Sequence, residues 1–448
     1  MTHSDVSTRP AAPVAAAGPQ VGPLDADGRA RYKLGPLYLT LPFANIALIL
    51  VWVGVGSFLI PIQVTEITGG ANPNALKNAV VIGAALAAIG NPLFGQLSDR
   101  TRSRFGRRAP WLLICGLLGA AALLWQSQAH SIALLAVTWG CVQFILNGFQ
   151  AALTAAMPDR VPTAKYAMMS AVIGLATPVA TIAAAFAIGG IDGTKFGYHG
   201  TIGGFGGKLQ GADGYYLIAG ILVVVTLGFV LFAPDKSTKD MVVEKFDLKK
   251  FLSNFWVNPR KHPDFVLAFA ARFAFVTGYF TILTYNLYII MEYVKVAPQD
   301  AAATMGFLMV VNALCMLVAA AFIGKLVDRF GHIKLVVVGS GALAALSMLI
   351  PMIWPSVNGM TTFNIINGIA FGMYMAIDMT LITKVLPNRE DAGKDLGLIN
   401  IANAAPQIAA PFIASAIVSA WGYEALFPIC AAIALIGALA VVFVKSVR

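Results

Sequence analysis

A chain of 448 residues that is 58% hydrophobic and only 12% charged is not a soluble domain, where charged residues make up about 25%. A mean hydropathy of +0.76 over the whole length excludes a single buried core and requires many membrane spans. The formal charge of +10 does not indicate a nucleic-acid binder, because the basic residues lie between apolar segments and not on one face of a soluble domain.

Residues 1–36 are rich in Ala, Pro and Gly and lack the basic-then-apolar order of a signal peptide. A disordered cytoplasmic tail is expected there, with the first span as the insertion signal. About 20 apolar residues are needed to cross the hydrocarbon. Such stretches fall at 37–62, 76–97, 110–127, 131–157, 165–190, 215–233, 264–292, 300–325, 334–354, 359–386, 396–420 and 424–444. Helix is the assignment for each, since lipid offers no partner to an unpaired backbone group. The expected fold is an all-α membrane protein. Its units are the tail, a six-helix bundle over 37–233, a cytoplasmic loop over 234–263 and a second bundle over 264–448. The Gly-rich stretch 189–214 lacks the spacing of a phosphate cradle and reads as a flexible external loop. Pro178 and Pro406 lie inside spans, where a lost backbone hydrogen bond bends a helix.

With the N-terminus inside, the internal segments hold 26 Lys and Arg, while the external loops hold Lys77, Lys195, Lys208 and Lys295. The positive-inside tendency then places both termini in the cytoplasm, and the expected location is the cell (inner) membrane. Cys115, Cys141, Cys315 and Cys430 sit inside apolar segments without metal-ligand or disulfide spacing, so no metal is expected. The five histidines lie in the tail or loops. With no catalytic triad and no nucleotide motif, the chain reads as neither an enzyme nor an ATP-driven pump, and no cofactor is expected.

The chain repeats itself. Gly95 and Asp99-Arg100 close the second span, and Gly324 and Asp328-Arg329 close the eighth, 229 residues later. Pro158, Arg160 and Lys165 recur at the same offset as Pro387, Arg389 and Lys394. One shared offset at two separate loops indicates duplicated six-helix halves, with a substrate site between them near the midplane.

Residues 95–110 read GQLSDRTRSRFGRRAP. This stretch resembles the signature of the loop between helices two and three in the major facilitator superfamily. Its long form is similar to that of the glycoside-pentoside-hexuronide cation symporters and the sucrose–proton symporters. GKLVDRFGHIK at 324–334 is a shorter version. Asn147, Gln150 and Asp159 have the spacing of an Asn, Gln and Asp on the fourth helix of the sucrose symporters. The resemblance implies twelve helices in two pseudo-symmetric bundles, with helices one, four, seven and ten around a central cavity. It also implies a saccharide as the small-molecule substrate, and a coupling role for Asp159, whose alternative is a gate or helix-end charge. Sodium-coupled melibiose-type members carry two aspartates on the second helix, where this chain has Ala87 and Asn91, so the proton is the expected coupling ion.

Within the spans, an ionisable group is costly and marks function by default. Arg272 on the seventh span and Asp378 on the tenth lie at similar depth. They read as a protonation-linked pair or as a static salt bridge. Arg272, Tyr279 and Asn286 share a helical face; so do Asn367, Tyr374 and Asp378, and Trp139, Gln143, Asn147 and Gln150; Asn45, Trp52 and Gln63 roughly do. Amides with aromatics on four cavity helices suit hydrogen bonding and ring stacking to a polyol; the alternative for each amide is a bond between helices, worth about 0.6 kcal/mol. In the loop signature, Gly95, Asp99, Arg100, Gly106, Arg107 and Arg108, with Asp328 and Arg329 in the second half, are the expected cytoplasmic gate. Asp99 suits a neighbouring helix N-terminus, and the arginines suit carboxylates on adjacent internal ends, among them Asp391 and Asp395. Plain positive-inside anchoring is the alternative. The overall expectation is a monomeric, proton-coupled sugar or glycoside transporter, with export of amphipathic compounds, or a receptor that transports nothing, as the rivals.

Overall fold

The computed structural model describes residues 32, 34–192, 201–202, 209–239, 263–330, 333–385 and 392–444. Side chains at 163, 167, 191–192, 201–202, 324–330, 333, 378–385 and 392–404 lie outside that description. The helices match the apolar stretches closely. They are α1 (Leu34–Thr68), α2 (Pro73–Arg100), α3 (Ala109–Gln126), α4 (Ile132–Arg160), α5 (Met168–Gly189) and α6 (Ala212–Phe232) in the first half. The second half holds α7 (Pro263–Thr284, continued by Asn286–Tyr288 and Ile289–Tyr293), α8 (Pro298–Phe330), α9 (Lys334–Ile353), α10 (Val357–Val385), α11 (Ala392–Trp421) and α12 (Leu426–Val442). A two-residue ladder, Ile191–Asp192 with Thr201–Ile202, lies between α5 and α6.

Local chemistry sets the helix ends. Asn72 caps α2 by accepting from the Ala75 amide at 3.0 Å, and Pro73 follows at the first helical position. Ser131 caps α4 through the Leu134 amide. Helices α2 and α4 run past their apolar stretches to Arg100 and Arg160, because a hydrogen-bonded helix does not stop where lipid does. Helix α5 breaks at Leu175, between Gly174 and Ala176. The ring of Pro178 clashes with the carbonyl four residues back, which is that of Gly174. Helix α1 widens to π form over Val51–Leu59, and the Ile60 amide reaches the Val55 carbonyl. Pro61, next in line, has no amide to offer Ser57.

Packing repeats with a period of six helices. Helix α2 packs on α4 as α8 packs on α10; α1 on α6 as α7 on α12; α3 on α4 as α9 on α10; α3 on α6 as α9 on α12; and α1 on α5 as α7 on α11. The two halves meet along α2 against α11 and α5 against α8, which are also equivalent pairs. The 229-residue sequence offset is therefore a repeat of structure. All spans fit a chain that crosses twelve times, with the start of α1 and the end of α12 on one side. That side is called here the terminal face, and the other the far face.

The halves are joined at the far face. Asn74, at the start of α2, accepts from Ser415 of α11 at 2.8 Å. Gly306 of α8 meets the end of α5 so closely that a Cβ there would lie 2.5 Å from the Gly190 carbonyl. At the terminal face, inside the first half, Arg107, Arg108 and Arg160 form ion pairs with Asp99, Asp159 and Asp235.

Candidate functional site

At the terminal face, three arginines and three aspartates alternate. Arg107 chelates Asp159 at the end of α4, with its Nε 3.0 Å from Oδ2 and its Nη2 on Oδ1. Arg108 donates from Nε to the same Oδ2 at 2.7 Å, from Nη1 to Ser98 at 2.9 Å, and from Nη2 to Asp99. Arg160, with no exposed surface, reaches Asp235 at 3.2 Å and the Ala233 carbonyl at 2.8 Å. Asp235, three residues after the end of α6 at Phe232, also accepts from the Arg108 amide at 3.2 Å and from the Tyr32 hydroxyl at 3.1 Å. Asp235 lies against Gly106, whose φ is +82°, and a Cβ on Gly106 would come within 2.2 Å of its carboxyl carbon. Positive φ and this contact together explain the glycine.

Of the residues expected as a gate, Asp99, Arg107 and Arg108 join Asp159, Arg160 and Asp235 in a belt that fastens α2, α3, α4 and the segment after α6 of one half. Arg100 lies half-buried at the end of α2. Gly95 carries less constraint, since a Cβ there would stop 3.9 Å from Ala151. The side chains of Asp328 and Arg329, and residue Asp391, lie outside the described residues. Sequence patterns alone do not single out Asp235 or Tyr32. The signal available was an acid directly after the sixth span, level with Arg160.

Deeper in the first half, Trp52 of α1 and Trp139 of α4 meet edge to face, with centroids 6.2 Å apart. Trp139 lies in a notch at Gly83 of α2, where a Cβ would come within 2.4 Å of the indole. Gln143 lies one turn on, and its side-chain oxygen and carbonyl both accept from Asn147, at 3.2 and 2.8 Å. Trp52, Gln143 and Gln150 keep partial exposure. Four of the expected residues are therefore adjacent. Asn45 instead donates to the Leu41 carbonyl of its own helix at 2.8 Å. Gln63 turns into its own half, bonding Tyr215 at 2.7 Å and the Ala129 carbonyl at 2.8 Å.

In the second half, α7 and α10 are locked by stacked rings. Phe275 lies on Tyr374 with centroids 4.1 Å apart, Tyr279 lies on Phe371 at 4.2 Å, and Phe275 and Phe371 stack at 5.9 Å. The stack fixes the register of two antiparallel helices. One turn toward the terminal face from it, α7 carries Arg272, 5% exposed, and α10 carries Asp378, at a similar depth. The side chain of Asp378 lies outside the described residues. Asn286 is buried just beyond the break in α7. Asn367 is buried and faces Ser347 of α9 at 3.4 Å, a bond between helices of one half.

The family profile of the Major Facilitator Superfamily matches residues 43–296 and 284–448. The chain belongs to that superfamily. Among solved structures, it is similar to the nucleoside transporter NupG, with a TM-score of 0.68 and 14% identity over 92% of this chain and 100% of that one. A point mutant of NupG gives 0.70 and 12%, over 91% and 100%. A bacterial homolog of the human lysosomal transporter Spinster, in an inward-facing and unoccupied conformation, gives 0.60 and 17%, over 91% and 94%. At these identities the likeness is one of fold. In sequence, a segment of 42 residues is 57% identical to an uncharacterized symporter, sll1374, of Synechocystis sp., covering 9% of this chain and 8% of that protein. The superfamily and the twelve-helix fold identify a multi-pass membrane transporter of small molecules, not an enzyme.

Proposed function

We propose that this chain is a secondary transporter of a sugar or glycoside, driven by proton symport through alternating access. The observation that carries the reading is a matched pair of ring surfaces. Trp52 lies about 27 Å along α1 from its first residue, and Tyr279 about 24 Å along α7, at 1.5 Å per residue. Each half thus offers a partly exposed aromatic ring at one depth, and Gln143 stands beside Trp139 on the first half. Rings that stack on the apolar face of a pyranose, with amides for its hydroxyls, are the chemistry of a polyol site. Arg272 and Asp378 supply a buried cation and an acid on facing helices, in the part of the membrane where a titrating group is worth its cost. The Lys and Arg asymmetry supports a terminal face in the cytoplasm, in the cell (inner) membrane. The working unit is a monomer with no cofactor beyond the ion gradient.

Uptake of labelled sucrose, maltose, other glycosides and nucleosides into proteoliposomes of both orientations, with and without a pH gradient, tests the reading. Gradient-driven accumulation that Asp378→Asn abolishes while exchange survives is the expected result. Absence of any saccharide uptake would remove the sugar assignment. A second reading, export of amphipathic compounds, is favoured by the four-ring stack of the second half, and predicts efflux of an aromatic cation or neutral dye in the same vesicles.

A further inference from the structure

We infer that Tyr285 is a two-position latch for the far face. Helix α7 breaks at this residue, whose φ and ψ are −105° and 12°, so its ring leaves the path of the helix and lies fully buried between the halves. Its hydroxyl is 2.8 Å from the Pro73 carbonyl, at the start of α2 in the first half. It is also 3.3 Å from the Pro411 carbonyl, on α11 in its own half. A phenol has one proton to donate. The shorter contact crosses between the halves; the longer one stays within a half. When α2 draws away from α11, the hydroxyl turns to Pro411, which moves with it. The seal then opens without stranding a buried donor, the usual penalty of breaking such a bond.

Neighbouring bonds fall on the same seam. The Tyr288 hydroxyl is 3.4 Å from the Pro61 carbonyl of α1, and Asn74 meets Ser415 at 2.8 Å and Ser419 at 3.5 Å. The equivalent seam, α5 against α8, is closed by backbone contact at Gly306 and Gly190. One seam is therefore a set of separable polar bonds and its counterpart a packed backbone contact. The inference needs no identity for the substrate.

Spin labels at His130→Cys and Asn358→Cys, both at the far face on opposite halves, read the separation in substrate-free protein. Cys115, Cys141, Cys315 and Cys430 are replaced first. Because the hydroxyl exchanges the shorter Pro73 bond for the longer Pro411 one, Tyr285→Phe is expected to raise the ratio of the far-open to the far-closed population by only about two- to threefold, a fraction of one hydrogen bond, with melting little changed. Ser415→Ala, which removes the bond to Asn74 across the seam, should shift it in the same direction by about five- to tenfold, the worth of one hydrogen bond. An unchanged distribution in Tyr285→Phe overturns the inference, and so does a Tyr285→Phe shift as large as that of Ser415→Ala, which would leave the hydroxyl without a second acceptor in the far-open state. A Tyr285→Phe protein that fails to fold overturns it too, because a latch hydroxyl sets the balance between two folded states and not folding itself.

Discussion

Nη2 of Arg160 lies 3.2 Å from Oδ2 of Asp235, and neither side chain exposes more than 5% of its surface. The two residues are 75 apart in sequence, and the contact ties the end of α4 to the segment that leaves α6. Phe229 and Tyr32 add ring faces 5.4 and 5.8 Å from the guanidinium, so the cation is enclosed on several sides. Removing one partner of a buried pair leaves the other charge uncompensated, at about 3–5 kcal/mol. Asp235→Asn should therefore lower the melting temperature and the yield of monodisperse protein sharply. Joint replacement, Arg160→Met with Asp235→Asn, should recover most of the loss. A single substitution that melts like the parent would show that water reaches the pair.

The two signature glycines should behave differently on gaining a methyl group. Gly106→Ala meets a left-handed backbone, which costs a side chain about 1–2 kcal/mol, and it drives a Cβ into Asp235 at 2.2 Å. Gly95→Ala places its Cβ 3.9 Å from Ala151, an ordinary contact. Expression and thermal melting of the two variants side by side check this: Gly106→Ala should be unstable and Gly95→Ala close to the parent. Equal behaviour would mean that Asp235 moves freely away from the loop.

The spans and the duplication were legible because each rests on one-dimensional information. A membrane sets a minimum apolar length, and a repeat sets a constant offset. Helical faces were legible only in part. The π segment at Val51–Leu59 takes more residues per turn than an α-helix, so Asn45, Trp52 and Gln63 do not lie along one straight face. Asn367 does share a face with Tyr374, yet it is spent on Ser347, because periodicity gives a direction and not the neighbour found there. Asp235 was illegible for another reason: its partners come from three separate segments, and only the folded chain brings Tyr32, Arg108 and Arg160 to it. The carbonyls of Pro73 and Pro411 carry no residue-type signal at all, since any residue has an equivalent acceptor.

Tyr32 supplies a pH-dependent contact at the terminal face. Burial first, and then the carboxylate of Asp235, push its phenol from the ordinary 10.0 up to about 12, against the opposing pull of Arg160. The folded chain holds this proton more tightly than the unfolded one, so its contribution is complete below about pH 10 and falls away as pH climbs toward 12. The melting-temperature difference between the parent and Tyr32→Phe should shrink over that interval and be constant below it. A difference that stays level to about pH 11 would show that Tyr32 is fully hydrated and keeps an ordinary phenol pKa. In Asp235→Asn the phenol should ionise at lower pH than in the parent, read by its ultraviolet difference spectrum.

Gly83 and Gly56 both border Trp139, but at different distances. A Cβ on Gly83 would fall 2.4 Å from the indole Cδ1 and 2.7 Å from Nε1, whereas one on Gly56 would rest 3.7 Å from the ring. Gly83→Ala must therefore displace Trp139, and with it the edge-to-face contact to Trp52, at an overpacking cost of about 1–3 kcal/mol. If these rings form the substrate surface, Gly83→Ala should raise the KM for the transported saccharide about tenfold or more and shift tryptophan emission, while Gly56→Ala leaves both near the parent. The emission shift is independent of transport and reports whether Trp139 moved. A moved indole with an unchanged KM would place the substrate elsewhere in the cavity, on the Tyr279 and Phe371 side. An unmoved indole would mean that α2 yields instead, which spin-label distances between α2 and α4 would detect.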